Sequence, residues 1–174
     1  MTYCVGIILE AGIIFASDSR THAGVDNFAK FCKMNVFERP GDRVLVLLSS
    51  GNLAGTQAVI GLLRQRAEAG GDSPTLWSAT SMFETAMVVS DAMRDVDHRD
   101  GKFLEESDGG FNASFILGGQ VRGEPPRLFR IYADSSGRPA DYSPNNLPYH
   151  PRKFLPIAID GATEGDFTMV YGFP

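Results

Sequence analysis

Cysteine is scarce in these 174 residues: Cys4 and Cys32 are the only two. No CxxC pair and no Cys/His cluster at zinc spacing occurs, which excludes the common zinc-binding and thioredoxin-type motifs. Two isolated thiols fit a reducing cytosol better than a disulfide-stapled secreted domain, so a cytoplasmic location is expected. No apolar run is long enough to span a bilayer. Met1-Thr2-Tyr3-Cys4 lacks a positive leader region, and Glu10 and Asp18 interrupt the apolar run that follows, so no signal peptide is expected. Lys and Arg nowhere cluster and the formal net charge is −5, which argues against nucleic acid and against an anionic membrane surface as partners. GxSxG, P-loop, GxGxxG and HExxH motifs are all missing. The three histidines, His22, His98 and His150, are scattered, and His98 reads as a solvated side chain in a charged loop. No metal and no organic cofactor is expected.

What remains is an ordinary soluble composition long enough for one domain with a real core. Val5 to Leu9 and Ile13 to Ala16 are short apolar runs rich in β-branched residues, broken by Glu10-Ala11-Gly12, which reads as a β-hairpin. Both runs are apolar on both faces, so the sheet is expected to be covered on both sides. Thr21 to Lys30 is polar and reads as a loop. Strands are expected over Met34 to Glu38 and Val44 to Leu48, the latter ending in Ser49-Ser50-Gly51. Asn52 is a suitable N-cap for a helix carrying Leu53, Ile60, Leu63 and Ala67 and stopped by Gly70-Gly71. Ser73-Pro74 supplies a cap and a first-turn proline for a second helix. Its core stripe is Ala79, Met82, Ala86, Val89, Met93 and Val96, and the charged stretch from His98 to Gly110 reads as a loop. Phe111 to Leu117 and Arg127 to Tyr132 are expected to pair, with Gly118-Gly119 and Glu124-Pro125-Pro126 between them. The order strands, two helices, strands makes an α+β fold with both helices on one sheet face.

Thr2 stands out chemically. Its small side chain permits removal of Met1, which would leave a free α-amine beside a hydroxyl. An α-amine has a pKa of about 7.7–8.0, so much of it is a neutral base near physiological pH. One residue could then serve as nucleophile and general base together. If the hairpin turn centres on Ala11, Asp18 lies opposite Cys4, within two residues of Thr2, and brings a carboxylate to the new terminus.

These residues also carry a resemblance. Thr2-Tyr3-Cys4-Val5-Gly6 and Phe15-Ala16-Ser17-Asp18-Ser19-Arg20 resemble the opening of proteasome β subunits, within the N-terminal nucleophile (Ntn) hydrolases. Lys33-Met34 and Leu47-Leu48-Ser49-Ser50-Gly51 fit the same pattern. Ala23 to Asn27, Asn52 to Ile60, Ala113 to Gln120 and Gly123 to Phe129 resemble the bacterial ancestral β subunit, Anbu. The resemblance covers residues 1–132 and implies an αββα sandwich. It makes Thr2 the nucleophile of a threonine peptidase acting on peptide or protein substrates. Asp18 would orient the site, and Lys33 (or Lys30) would sit close to the Thr2 hydroxyl, with its charge favouring the alkoxide. The Gly51 N–H would serve the oxyanion, though a plain strand-to-helix turn glycine is the alternative. Arg20 would be a structural partner of the Asp18 loop, and Thr21 and His22 would fall on the substrate-binding strand. Homo-oligomeric rings or spirals follow from the same resemblance. A small-molecule amidase and an inactive, assembly-only subunit are the rival readings.

The resemblance stops after Tyr132. Residues 133–174 hold more than half of the prolines and read as a loop-rich tail of the same single domain. Its strand-like runs are Phe154 to Ile159 and Phe167 to Tyr171. No second amphipathic helix pair is legible there, so the sandwich is expected to be incomplete. Ser135, Ser143, Asp160 and Asp166 receive no role. An altered reading frame or gene end beyond Tyr132 is the expected cause.

Overall fold

The computed structural model describes residues 2–23, 27–69, 74–108 and 111–132, with side chains described for all of these but 20–23, 27–30 and 105–108. They belong to the first of two compact units, Met1–Pro139, the second being Ala140–Pro174. The strand-like runs expected near residues 154–159 and 167–171 lie outside the described residues.

Strands β1 (Cys4–Leu9) and β2 (Gly12–Ser17) form an antiparallel hairpin in which Leu9 faces Gly12 and Cys4 faces Ser17. The turn is therefore Glu10-Ala11, one residue tighter than expected, and Asp18 falls opposite Tyr3 instead of Cys4. The polar segment expected to be a loop forms a second small hairpin, β3 (Arg20–Ala23) with β4 (Asn27–Lys30). Its pairing is made by backbone groups, which an apolar pattern does not report.

The central sheet has the order β5 (Met34–Arg39), β6 (Arg43–Gly51), β7 (Ala113–Val121), β8 (Arg127–Tyr132), antiparallel throughout. Strand β7 runs straight through Gly118-Gly119, because both glycines face crowded neighbours, and the turn to β8 follows Val121. Odd-numbered positions of β6 and β7, Leu45, Leu47, Phe115 and Leu117, are buried under α1 (Leu53–Ala69) and α2 (Met82–Asp108). The stripe Ala79, Met82, Ala86, Val89, Met93, Val96 is buried as its period implied. The helix carrying it starts later than Ser73-Pro74, however. Ser81 caps it, its Oγ accepting the Glu84 N–H at 3.0 Å. It also runs ten residues past His98, which lies exposed on its surface. Charged residues mark the outer face of a long helix as readily as they mark a loop, and Gly101 is packed against Asp97 inside it.

The other face of the sheet carries the β1–β2 hairpin. Two glycines set the spacing. A Cβ on Gly118 would come within 2.5 Å of Phe15 and Leu128, and one on Gly6 within 2.9 Å of Leu128. On the far side of the hairpin, Val5 and Leu9 are exposed. The described residues thus form helices, sheet and hairpin in three layers, with one hairpin face covered where coverage of both was expected.

Candidate active site

The hairpin brings the start of the chain over the end of β6. The Tyr3 N–H donates to Asp18 Oδ1 at 2.9 Å and the Asp18 N–H donates to the Tyr3 carbonyl at 3.0 Å. The carboxylate is thereby fixed beside Thr2 by its own hairpin partner. Its second oxygen, Oδ2, accepts from Lys33 Nζ at 2.7 Å. Lys33 lies just ahead of β5 and is only 3% exposed. The same ammonium donates to Thr2 Oγ1 at 3.1 Å. A buried cation is tolerable only when paired and hydrogen-bonded, and Asp18 and Thr2 supply that pairing.

Gly51 ends β6, where Asn52 caps α1 by accepting the Gly55 N–H on its side-chain oxygen at 3.1 Å. Gly51 has φ of 102°, and a Cβ there would lie 1.9 Å from the Asn112 carbonyl oxygen. The position requires glycine for conformation and for clearance, so the turn reading of Gly51 holds whatever else it does. Thr2, Lys33 and Gly51 line one narrow crevice of about 10 Å3, open to solvent, together with Phe31, Ser49 and Leu53.

The structure therefore places Thr2, Asp18 and Lys33 in direct contact and Gly51 on the same crevice wall. The side chains of Arg20, Thr21, His22 and Lys30 lie outside those described, as do Ser135, Ser143, Asp160 and Asp166 in the tail. Ser49 was missed by sequence reasoning. Its N–H (2.9 Å) and Oγ (3.4 Å) both donate to the Lys33 carbonyl, and its own carbonyl accepts the Cys4 thiol at 3.5 Å. It ties Lys33 to both β6 and β1. The only signal in the sequence is its place in the Ser-Ser-Gly strand end. Burial, followed by the nearby Asp18 carboxylate, pushes the Cys4 thiol above its ordinary value, with Lys33 opposing. Cys4 is a half-buried thiol held against the Ser49 carbonyl. No cluster of potential metal ligands occurs among the described residues.

Solved structures share this arrangement of strands and helices. An Anbu mutant from Hyphomicrobium sp. strain MC1 is 47% identical, with a TM-score of 0.69, over 76% of this chain and 53% of that one. Anbu from Yersinia bercovieri is 43% identical, with a TM-score of 0.66, over 74% of this chain and 52% of that one. The N-terminal part of this chain is of the Anbu type. Its α+β architecture is that of the proteasome-related Ntn fold. A third Anbu, described as a helical assembly from Pseudomonas aeruginosa, is 38% identical, with a TM-score of 0.66, over 77% of this chain and 57% of that one. The chain thus spans about half the length of the Anbu structures it matches.

The remainder matches something else. Residues 127–174 fit the Peptidase S46 family. An Asp/Glu-specific dipeptidyl-peptidase of Capnocytophaga gingivalis is 57% identical over 47 residues, which is 27% of this chain and 7% of that protein. A shifted frame reads as unrelated sequence and would not reach such identity. The change of character after Tyr132 coincides with a passage from Anbu-type to S46-type sequence. The two overlap on β8, which the Anbu-type sheet uses as its edge.

Proposed function

We propose that this chain is an amide hydrolase of the Ntn type, a threonine peptidase whose nucleophile is Thr2 once Met1 is removed. The observation that carries the reading is the Lys33 ammonium, buried and held 3.1 Å from Thr2 Oγ1 and 2.7 Å from Asp18 Oδ2. In this mechanism the neutral α-amine of Thr2 takes the hydroxyl proton as Oγ1 attacks the carbonyl carbon of the substrate. Lys33 stabilises the developing alkoxide, and Asp18 keeps Lys33 aimed. The tetrahedral oxyanion is received by the Gly51 N–H, a donor of a kind worth about 2.7–4 kcal/mol in a well-studied protease. The C–N bond breaks as the amine proton passes to the leaving nitrogen. Water then attacks the ester left on Oγ1, the α-amine again acting as base, and the acid product departs.

The Pseudomonas aeruginosa relative is titled a helical assembly, which supports a homo-oligomeric ring or spiral here. The scarcity of cysteine supports the cytoplasm, and cell fractionation checks it. The S46-type segment is too short a share of its relatives to carry their dipeptidyl specificity to this chain. The deciding test compares turnover of fluorogenic peptides by the wild type and Thr2→Ala, with mass spectrometry of the mature N-terminus. The expected result is loss of turnover in Thr2→Ala by three orders of magnitude or more, on the scale of about 10³–10⁶ for removing a nucleophile. Equal rates in the two proteins would remove Thr2 as nucleophile, and no turnover by either would favour an assembly-only subunit.

A further inference from the structure

Thr2 lies between two hollows. One is the crevice with Lys33 and Gly51. The other is a cavity of about 310 Å3 between the hairpin and the opposite face of the sheet. Its walls include Thr2, Cys4, Ser50, Ser114, Ile116 and Arg130. Ser50 and Ser114 face each other across β6 and β7, and their hydroxyls are hydrogen-bonded at 2.7 Å. Arg130 pairs with Ile116 across β7 and β8 and so stands on the same sheet face. Its guanidinium lies 5.2 Å from the ring centroid of Tyr132, two residues along the strand, which braces it at the rim.

The charge of this cavity is one-sided. Among the described residues that line it there is no carboxylate and Arg130 is the one charged side chain, and burial pushes the Cys4 thiol up, toward its neutral form. Asp18 is engaged by Lys33 and by the Tyr3 N–H on the other side of Thr2. Arg130 and the Ser50 and Ser114 hydroxyls line the same cavity, and a guanidinium matches a carboxylate in geometry and charge.

From this placement we propose that the Arg130 cavity is the leaving-group subsite, and that it selects an acidic residue immediately after the scissile bond. The proposal deepens the Thr2 reading and rests on it. The proposed oxyanion donor, the Gly51 N–H, is on the crevice side, so the acyl half of a substrate bound across Thr2 occupies that side, and the departing half extends into the cavity. There its carboxylate meets Arg130 while the Ser50–Ser114 pair offers hydroxyls along the path. Arg130 would be a specificity residue that touches substrate and takes no part in bond making.

The test uses the full chain and a probe of the departing half, the dipeptide amide Glu-Ala-NH2, against its isostere Gln-Ala-NH2. Calorimetry should show about fivefold tighter binding of the Glu peptide, the size expected of one partly exposed ion pair. Arg130→Met should abolish the difference, Arg130→Lys should retain part of it, and added salt should shrink it. Circular dichroism confirms that each variant is folded. Equal binding of the two peptides by the wild type, or a preference that survives in Arg130→Met, overturns the proposal. The same titration on Thr2→Ala separates the two readings. A Glu preference that persists in a protein whose wild type hydrolyses nothing would leave the acidic subsite standing and remove only the nucleophile.

Discussion

Replacing Lys33 with methionine keeps most of the side-chain bulk but deletes the charge that joins Asp18 to Thr2. Removing one member of a buried ion pair costs about 3–5 kcal/mol where the survivor is fully desolvated. Here the Asp18 side chain is 24% exposed and also accepts the Tyr3 N–H. Water and that amide recover part of the loss, leaving a cost of about 2 kcal/mol. For a chain of this size the melting temperature should fall by about 4–8 °C. Asp18→Asn leaves Lys33 buried without its anion and should cost a similar amount. The double variant should lose less than the sum, with a coupling of about 1–2 kcal/mol between residues in direct contact. Thermal denaturation of the four proteins measures the cycle, and peptide turnover follows the chemistry in parallel. Lys33→Met should lower turnover by at least about 100-fold, since a preorganised charge beside a developing alkoxide contributes on that scale. Additive stabilities together with undiminished turnover would show that the triad of contacts is incidental, and the reasoning would fail.

Gly51→Ala should destabilise the chain by about 2 kcal/mol or more, because alanine would adopt a positive φ with its Cβ against the Asn112 carbonyl; urea denaturation checks this. Wild-type stability here would mean that the β6–α1 turn is not as described. Iodoacetamide should label exposed Cys32 well before Cys4, with the gap closing only at high pH, as read by peptide mass spectrometry. Because folding raises the Cys4 value above the ordinary 9.0, the thiol's contribution to stability is complete below that value. It is lost as pH rises through the raised one. Equal labelling rates at pH 8 would contradict the packing of Cys4 against Ser49.

Much of the fold was legible because burial imposes a period. The α2 stripe from Met82 to Val96, with Ala79 just ahead of it, and the alternation along β6 and β7 are direct consequences of facing one core. The failures share a cause as well. The last ten residues of α2, the β3–β4 hairpin and the Glu10-Ala11 turn are fixed by backbone hydrogen bonds, which leave little trace in an apolar pattern. For the candidate site, the hydroxyl at position 2 and the hairpin carboxylate could be noticed from the residues alone. Lys33 could be singled out only through family resemblance, since nothing in its local sequence says that it is buried. Ser49, Ser50, Ser114 and Arg130 were invisible in those terms, being ordinary strand residues brought together by register. The S46-type segment was noticed only as a loss of likeness after Tyr132.

Gly6 and Gly118 act together as a shim. Neither touches a substrate or a proton, yet the missing methyl groups at their contacts with Phe15 and Leu128 determine how deeply the hairpin seats on the sheet. Thr2 travels with the hairpin, whereas Lys33 travels with the sheet. The gap across which the reaction would occur is therefore gauged two residues beyond Cys4 by the thickness of a joint, and adding a single methyl there would detune the chemistry from a distance.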